Sequence, residues 1–150
     1  MMKYLLPVIM LALPLLGAAQ RGEPIDYSQT VQYLRTKLPV NMQMDMKVKR
    51  GLLIVSTAKD GAPYREDQIY MTDIDYENIS YNEEEGAVMV RCKKGFKCVD
   101  RRFMTKKVRD QYGRMKFYIA PAHQEGFINA MKHLAKLFQI PNYQNSQPFE

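Results

Sequence analysis

The chain contains no tryptophan, two cysteines and two histidines among its 150 residues. His123 and His133 lie ten positions apart, about 80° from sharing a helical face, so they do not form an i,i+4 metal pair. Serine is sparse, and none of Ser28, Ser56, Ser80 and Ser146 stands in a nucleophile-elbow context. No glycine-rich phosphate loop is present. A chain of this length has no room for a multi-domain enzyme or a barrel of βα units. Together these absences leave no catalytic motif, and no enzyme, cofactor or metal is expected. A carboxylate pair without a motif would be the remaining route to a hydrolase.

What is present starts at the N-terminus. Residues 1–19 read MMKYLLPVIMLALPLLGAA: a lysine, an apolar run from Tyr4 to Leu16, then the small residues Gly17, Ala18 and Ala19. This is the layout of a cleaved secretory signal peptide. Pro7, Pro14 and the short apolar run argue against the alternative, an uncleaved anchor helix of about 20 residues. Cleavage after Ala19 would leave 131 of the 150 residues, with no transmembrane span, exported to a periplasm or extracellular space. Residues 20–25 are expected to be a leader, 26–140 a single globular domain and 141–150 a flexible tail.

Two helices stand out by periodicity. Asp26 and Gln29 fit a capping pair, and Tyr27, Val31, Leu34 and Leu38 then form one stripe that Pro39 ends. Pro121 opens the second, in which Phe127, Met131, Leu134 and Phe138 recur at helical spacing; Glu125, Asn129, Lys132, His133 and Lys136 occupy the other face. Between them, residues 41–120 alternate at period two with frequent turn residues. The expected strands are Met42–Val48, Leu52–Ala58, Glu66–Thr72, a short one around Ile79, Ala87–Cys92, Phe96–Arg101 and Arg114–Ile119. The fold class is therefore α+β, mainly β: a short N-terminal helix, about seven antiparallel strands in a bent sheet or small barrel, and a C-terminal amphipathic capping helix.

That element order, over roughly residues 42–140, resembles the pleckstrin-homology-like barrel, in which a C-terminal helix plugs one end of a bent antiparallel sheet. The segment AMKHLAKLF also resembles the closing helix of small secreted barrels with no assigned activity. Phosphoinositide-binding members carry a basic signature across the first hairpin. Lys47, Lys49 and Arg50 match its first part, but Leu52–Ala58 supplies no arginine, so that ligand does not carry over. A cystatin-like or nuclear-transport-factor-like sheet wrapped around the N-terminal helix is the second architecture considered.

Cys92 and Cys98 lie in RCKKGFKC, a spacing that suits a β-hairpin turning at Lys94–Gly95. Export favours a structural disulfide between them; two separate thiols are the alternative. The CxxC spacing of redox-active pairs is absent.

The net charge of +6 conceals a separation along the chain. Residues 45–90 hold ten acids and five bases, whereas residues 91–120 hold eleven bases and two acids. Phe96, Phe103, Tyr112 and Tyr118 are interleaved with those bases. Such a surface can contact a protein, an acidic glycan or an anionic lipid headgroup, with Arg91, Lys93, Lys94, Lys97, Arg101, Arg102, Lys106 and Lys107 as candidate contacts. The export signal points away from nucleic acid. The plainer reading is a solvated strand face whose charges pair with acidic neighbouring strands.

Two further patterns invite metal readings. Met42, Met44 and Met46 would align three thioethers on one strand face, a Cu(I)-like set that is also ordinary core filling. Asp73, Asp75, Glu77 and Glu84 copy four positions of a calcium loop, but Asn78 replaces the required glycine, and a polar turn fits equally. The sequence thus predicts an exported binding or interaction module with a basic hairpin. Its alternative is a structural or assembly subunit of an envelope complex.

Overall fold

A computed structural model describes residues 27–143. The expected signal peptide, leader, helix-capping Asp26 and residues 144–150 lie outside the described residues. The elements are α1 (Tyr27–Lys37), β1 (Met44–Lys49), β2 (Leu52–Lys59), β3 (Ala62–Tyr70), β4 (Ser80–Asn82), β5 (Ala87–Arg91), β6 (Val99–Phe103), β7 (Val108–Tyr112), β8 (Arg114–Phe117) and α2 (Gln124–Gln139). Single 3-10 turns occur at Val40–Met42, Met71–Asp73, Tyr76–Asn78 and Pro121–His123. The class is α+β, mainly β, as the element pattern predicts. The described strands form two antiparallel sheets, ordered β1-β2-β3-β6-β7 and β4-β5-β8, and not a closed barrel.

The first three strands follow from local chemistry. Arg50–Gly51 and Asp60–Gly61 are two-residue loops with positive φ at both positions, the geometry whose twist matches that of the flanking strands. Alternation then sets the faces. Met46, Val55 and Asp67 stand directly opposite one another in neighbouring strands, as do Val48, Leu53 and Ile69. These rows face the core, where Met46, Leu53, Val55 and Ile69 are buried. Strand β1 starts two residues later than expected: Met42 belongs to a 3-10 turn, and Gln43 takes a left-handed conformation before Met44.

The helices close the core. α1 buries Thr30, Val31 and Leu34, and α2 buries Phe127, Ala130, Met131, Leu134 and Ala135. The two helices approach closely at Gly126, where a Cβ would lie 2.1 Å from the Tyr33 hydroxyl; only glycine leaves that space open. Phe117 of β8 meets Phe127 of α2 at 5.2 Å between ring centroids. Gln139, at the end of α2, donates from Nε2 to the carbonyls of Met71 at 2.8 Å and Ile74 at 2.7 Å, tying the helix to the turn before β4.

One residue departs from the face assigned by periodicity. His133 is only 2% exposed, although its spacing places it with the polar residues of α2. Tyr143, the last described residue, covers it: the two rings are 5.6 Å apart and the Tyr143 hydroxyl lies 3.4 Å from Nδ1. Periodicity within α2 could not show this cover, because it comes from beyond the helix.

Burial holds the His133 pKa below the ordinary histidine value, and the nearby Lys136 charge acts in the same direction. The unfolded chain takes up this proton near pH 6.5 and the folded chain only at lower pH. Between these values the unfolded state binds more protons, so the contribution of His133 to stability falls on acidification. We predict a lower denaturant midpoint at pH 5.5 than at pH 7.5, with a smaller difference in His133→Leu. Equal pH dependence in the two proteins, measured by equilibrium unfolding, would exclude His133 as the cause.

Candidate functional site

The basic half of the chain is organised by one irregularity in strand pairing. Arg91 faces Arg114 across β5 and β8, and Val99 faces Tyr112 across β6 and β7. Between these pairs, the seven residues 92–98 on one strand face the single residue Gly113 on the other. β5–β6 and β7–β8 are thus one long two-stranded ribbon, bent between the two sheets, with a loop ejected from one side. The expected hairpin between the cysteine-bearing runs is not formed. β5 pairs with β4 and β8, while β6 pairs with β3 and β7.

The disulfide is formed, and it closes the neck of this loop. Cys92 and Cys98 are bonded with their Cα atoms 5.7 Å apart. The Cys92 N–H donates to Gly113 O at 2.9 Å, so the ladder continues up to the first cysteine. On the other edge, the Lys93 N–H donates to Asp73 O and the Asp75 N–H to Arg91 O, each at 2.9 Å. Within the loop, the Phe96 N–H donates to Lys93 O at 3.2 Å and Gly95 has φ +89°, as a type II turn requires at its third residue. Lys93, Lys94 and Lys97 are exposed around this turn, and Phe96 is 69% exposed.

The structure sorts the eleven bases of residues 91–120 into two groups. Arg101, Arg109, Arg114 and Lys116 are in ion pairs. Arg101 lies on the core-facing side of β6, directly opposite Asp67, and meets it through two hydrogen bonds of 2.6 and 3.1 Å. Its guanidinium stacks 4.4 Å from the centre of the Tyr112 ring. Burial alone would lower the Arg101 pKa, but the Asp67 carboxylate more than offsets this and holds it above the usual arginine value. Arg65 approaches the same carboxylate at 3.4 Å. Asp100 accepts two hydrogen bonds from Arg109, which holds its carboxyl below the usual range. Glu85 is lowered likewise, first by its hydrogen bond from Lys116 and then by the Lys116 and Arg114 charges.

The remaining seven bases, Arg91, Lys93, Lys94, Lys97, Arg102, Lys106 and Lys107, have no carboxylate within ion-pair distance among the described residues. Arg91 donates to the Asn78 carbonyl at 3.3 Å. Seven of the eight candidate contacts therefore keep a free charge, and Arg101 is a structural residue. They do not make one patch. Lys93, Lys94 and Lys97 sit on the clasped loop, whereas Lys106 and Lys107 form the β6–β7 turn, with Arg102 beside it. The length of β6, about 16 Å at ~3.3 Å per residue, separates the loop lysines from those of the turn. Lys97, Arg109, Asp110 and Gln111 line an open depression of about 380 Å³ near the first group. Another of about 250 Å³ near the second is lined by residues including Arg102, Met104, Lys107 and Val108.

The metal-like patterns do not assemble. Met46 is 1% exposed in the core and Met42 lies outside β1, so no open thioether face forms. Ile74, between Asp73 and Asp75, bridges to Cys92, and strand β4 separates Glu77 from Glu84. Among the described residues, no group of three or more His, Cys, Asp or Glu side chains could hold a metal ion. The Arg65–Asp67–Arg101 cluster escapes a reading by motif. Its one signal is that Asp67 shares the alternation phase of the buried Ile69.

Models of known protein families, curated proteins and solved structures were compared with this chain, and none matches.

Removing Asp67 leaves two part-buried arginines without their carboxylate. Asp67→Ala is predicted to cost about 3 kcal/mol, against no more than about 1 kcal/mol for Asp100→Ala at the exposed Arg109 pair. Equal costs in urea unfolding would refute the ranking. Replacing both cysteines by serine is predicted to lower stability by roughly 2 kcal/mol, the chain-entropy value for so small a loop. An unchanged midpoint would show that the pairing of Cys92 with Gly113 holds the neck without the bond.

Proposed function

We propose that this chain is an exported binding module that presents a disulfide-clasped cationic loop to an anionic partner. The observation that carries this reading is the loop itself. Lys93, Lys94 and Lys97 are exposed, free of ion pairs among the described residues, and placed on a backbone fixed at both ends by the ribbon and across its neck by Cys92–Cys98. A partner binding there meets charges already gathered, so less conformational freedom is lost on association. The N-terminal signal pattern supports export, and the disulfide accords with an oxidising compartment.

An assembly subunit is the second reading, with the acidic segment of one copy meeting the basic run of another. The exposed edge strand β7 supports it. Asp67 and Glu85 are already used within the chain, which reduces the acidic charge left for such a contact.

Heparin chromatography tests the first reading. Lys93→Ala/Lys94→Ala/Lys97→Ala is predicted to elute at clearly lower salt than the unsubstituted protein, and Lys106→Ala/Lys107→Ala to shift less. Identical elution of the triple variant and the unsubstituted protein would remove the loop as an anion contact. Salt-sensitive self-association without any polyanion would favour assembly instead.

A further inference from the structure

We infer that the anionic partner of the clasped loop is a lipid surface, with Phe96 entering the interface and Lys93, Lys94 and Lys97 meeting the headgroup phosphates. The inference rests on the anionic-partner reading and adds one observation to it. A loop built only to hold a polyanion in water has no use for a large apolar side chain at its tip. Phe96 is 69% exposed, the most exposed aromatic side chain among the large hydrophobic residues left outside the core. The fold holds it there: the turn bond from its own N–H to Lys93 O and the positive φ of Gly95 fix the backbone just before it. Its carbonyl oxygen lies over Gly113, 3.6 Å from where a Cβ at that position would be. The turn thus fixes the backbone that presents the ring at the exposed tip.

The chemistry of a bilayer interface matches this combination. Lysines near an anionic leaflet are drawn to it electrostatically, and their long stems let the ammonium groups stay with the phosphates while the backbone settles lower. An aromatic ring beside them gains by leaving water for the acyl boundary. Neither contribution alone gives stable attachment, because a few lysines are screened by salt and one ring buries little area. Joined on one rigid loop, they act on the same surface together. The disulfide restrains the backbone that carries the four side chains, so less of the loop must be ordered on contact. The β6–β7 turn carries the same mixture in weaker form, with Met104 and Val108 exposed beside Lys106 and Lys107.

Two probes separate the lipid surface from other anions: vesicles of phosphatidylcholine with phosphatidylglycerol, and soluble heparin. The protein is expected to co-sediment with the anionic vesicles and not with pure phosphatidylcholine. Phe96→Ser is expected to weaken vesicle binding about tenfold and to leave heparin elution unchanged. Lys93→Ala/Lys94→Ala/Lys97→Ala is expected to weaken vesicle binding roughly a hundredfold and to lower heparin elution as well. Because the chain has no tryptophan, Phe96→Trp places a unique reporter at the tip. Its emission is expected to move to shorter wavelength with anionic vesicles alone. Heparin binding without vesicle binding would overturn the lipid surface and leave an acidic glycan or protein as the partner. Vesicle binding by Phe96→Ser as tight as that of the unsubstituted protein would overturn it equally. A triple lysine variant unaffected in both assays would overturn the anionic-partner reading together with this one.

Discussion

The structure turns on a mismatch in length between two paired strands. A ladder of backbone hydrogen bonds admits one residue opposite one residue, and unpaired polar groups are costly wherever water is excluded. Here seven residues, 92–98, must pass a single glycine, Gly113. The excess cannot stay in the sheet, so it is extruded as a loop, and both sides of the ladder resume their pairing beyond it. At this same point the ribbon leaves the three-stranded sheet for the five-stranded one. The extruded loop and the bend between the sheets are thus two results of one misfit. A disulfide at the neck is the natural closure, since Cys92 pairs with Gly113 and Cys98 directly precedes Val99, the partner of the adjoining Tyr112.

The distribution of charge follows from that geometry. On the core-facing side of the sheet an uncompensated cation would lose its hydration. Arg101 stands there and is met by Asp67, whereas Arg109 with Asp100, and Arg114 and Lys116 with Glu85, pair closer to the surface. The Asp67 pair is the most demanding of them, because its carboxylate side chain is only 3% exposed and Arg101 lies directly across the ladder from it. The lysines of the loop and of the β6–β7 turn, and the outward-facing Arg102, remain in water and need no partner. The acidic and basic halves of the sequence are therefore partly a folding device, and only the remainder is available to another molecule.

Much of this architecture was legible in the sequence where the deciding contacts are local. Both helices follow their apolar stripes, and the turns at Arg50–Gly51 and Asp60–Gly61 lie where glycine marks them. Legibility failed where pairing is remote. The cysteine runs look like a hairpin because their alternation is symmetrical about Lys94–Gly95, but β5 and β6 pair instead with β8 and β3, which are distant in sequence, and β6 also pairs with β7. Strand β7 itself shows almost no alternation, since four of its five residues are exposed. His133 and Asp67 share a different difficulty: each is a buried polar side chain met by a residue, Tyr143 or Arg101, that its own element does not reveal. The free lysines of the loop were visible as residues, but their freedom from carboxylates depends on the whole fold.

The separation between the two groups of free bases decides how they can act. Strand β6, about 16 Å long at ~3.3 Å per residue, lies between the clasped loop and the β6–β7 turn. At physiological salt the screening length is about 8 Å, so neither group strongly reinforces the field of the other. The total charge of +6 is then a poor guide to what a partner meets. What matters is the local density at each tip and the freedom lost in holding it there. The β6–β7 turn gathers its charge on a hairpin end with no covalent restraint among the described residues, whereas the loop at 93–97 gathers three lysines and a phenylalanine behind a covalent neck. Given similar charge at each tip, the restrained one loses less entropy on contact, and the bulky ring gives it an apolar contact as well as an electrostatic one. Recognition at this loop therefore depends on the misfit at Gly113 that ejects it, as well as on the lysines it carries.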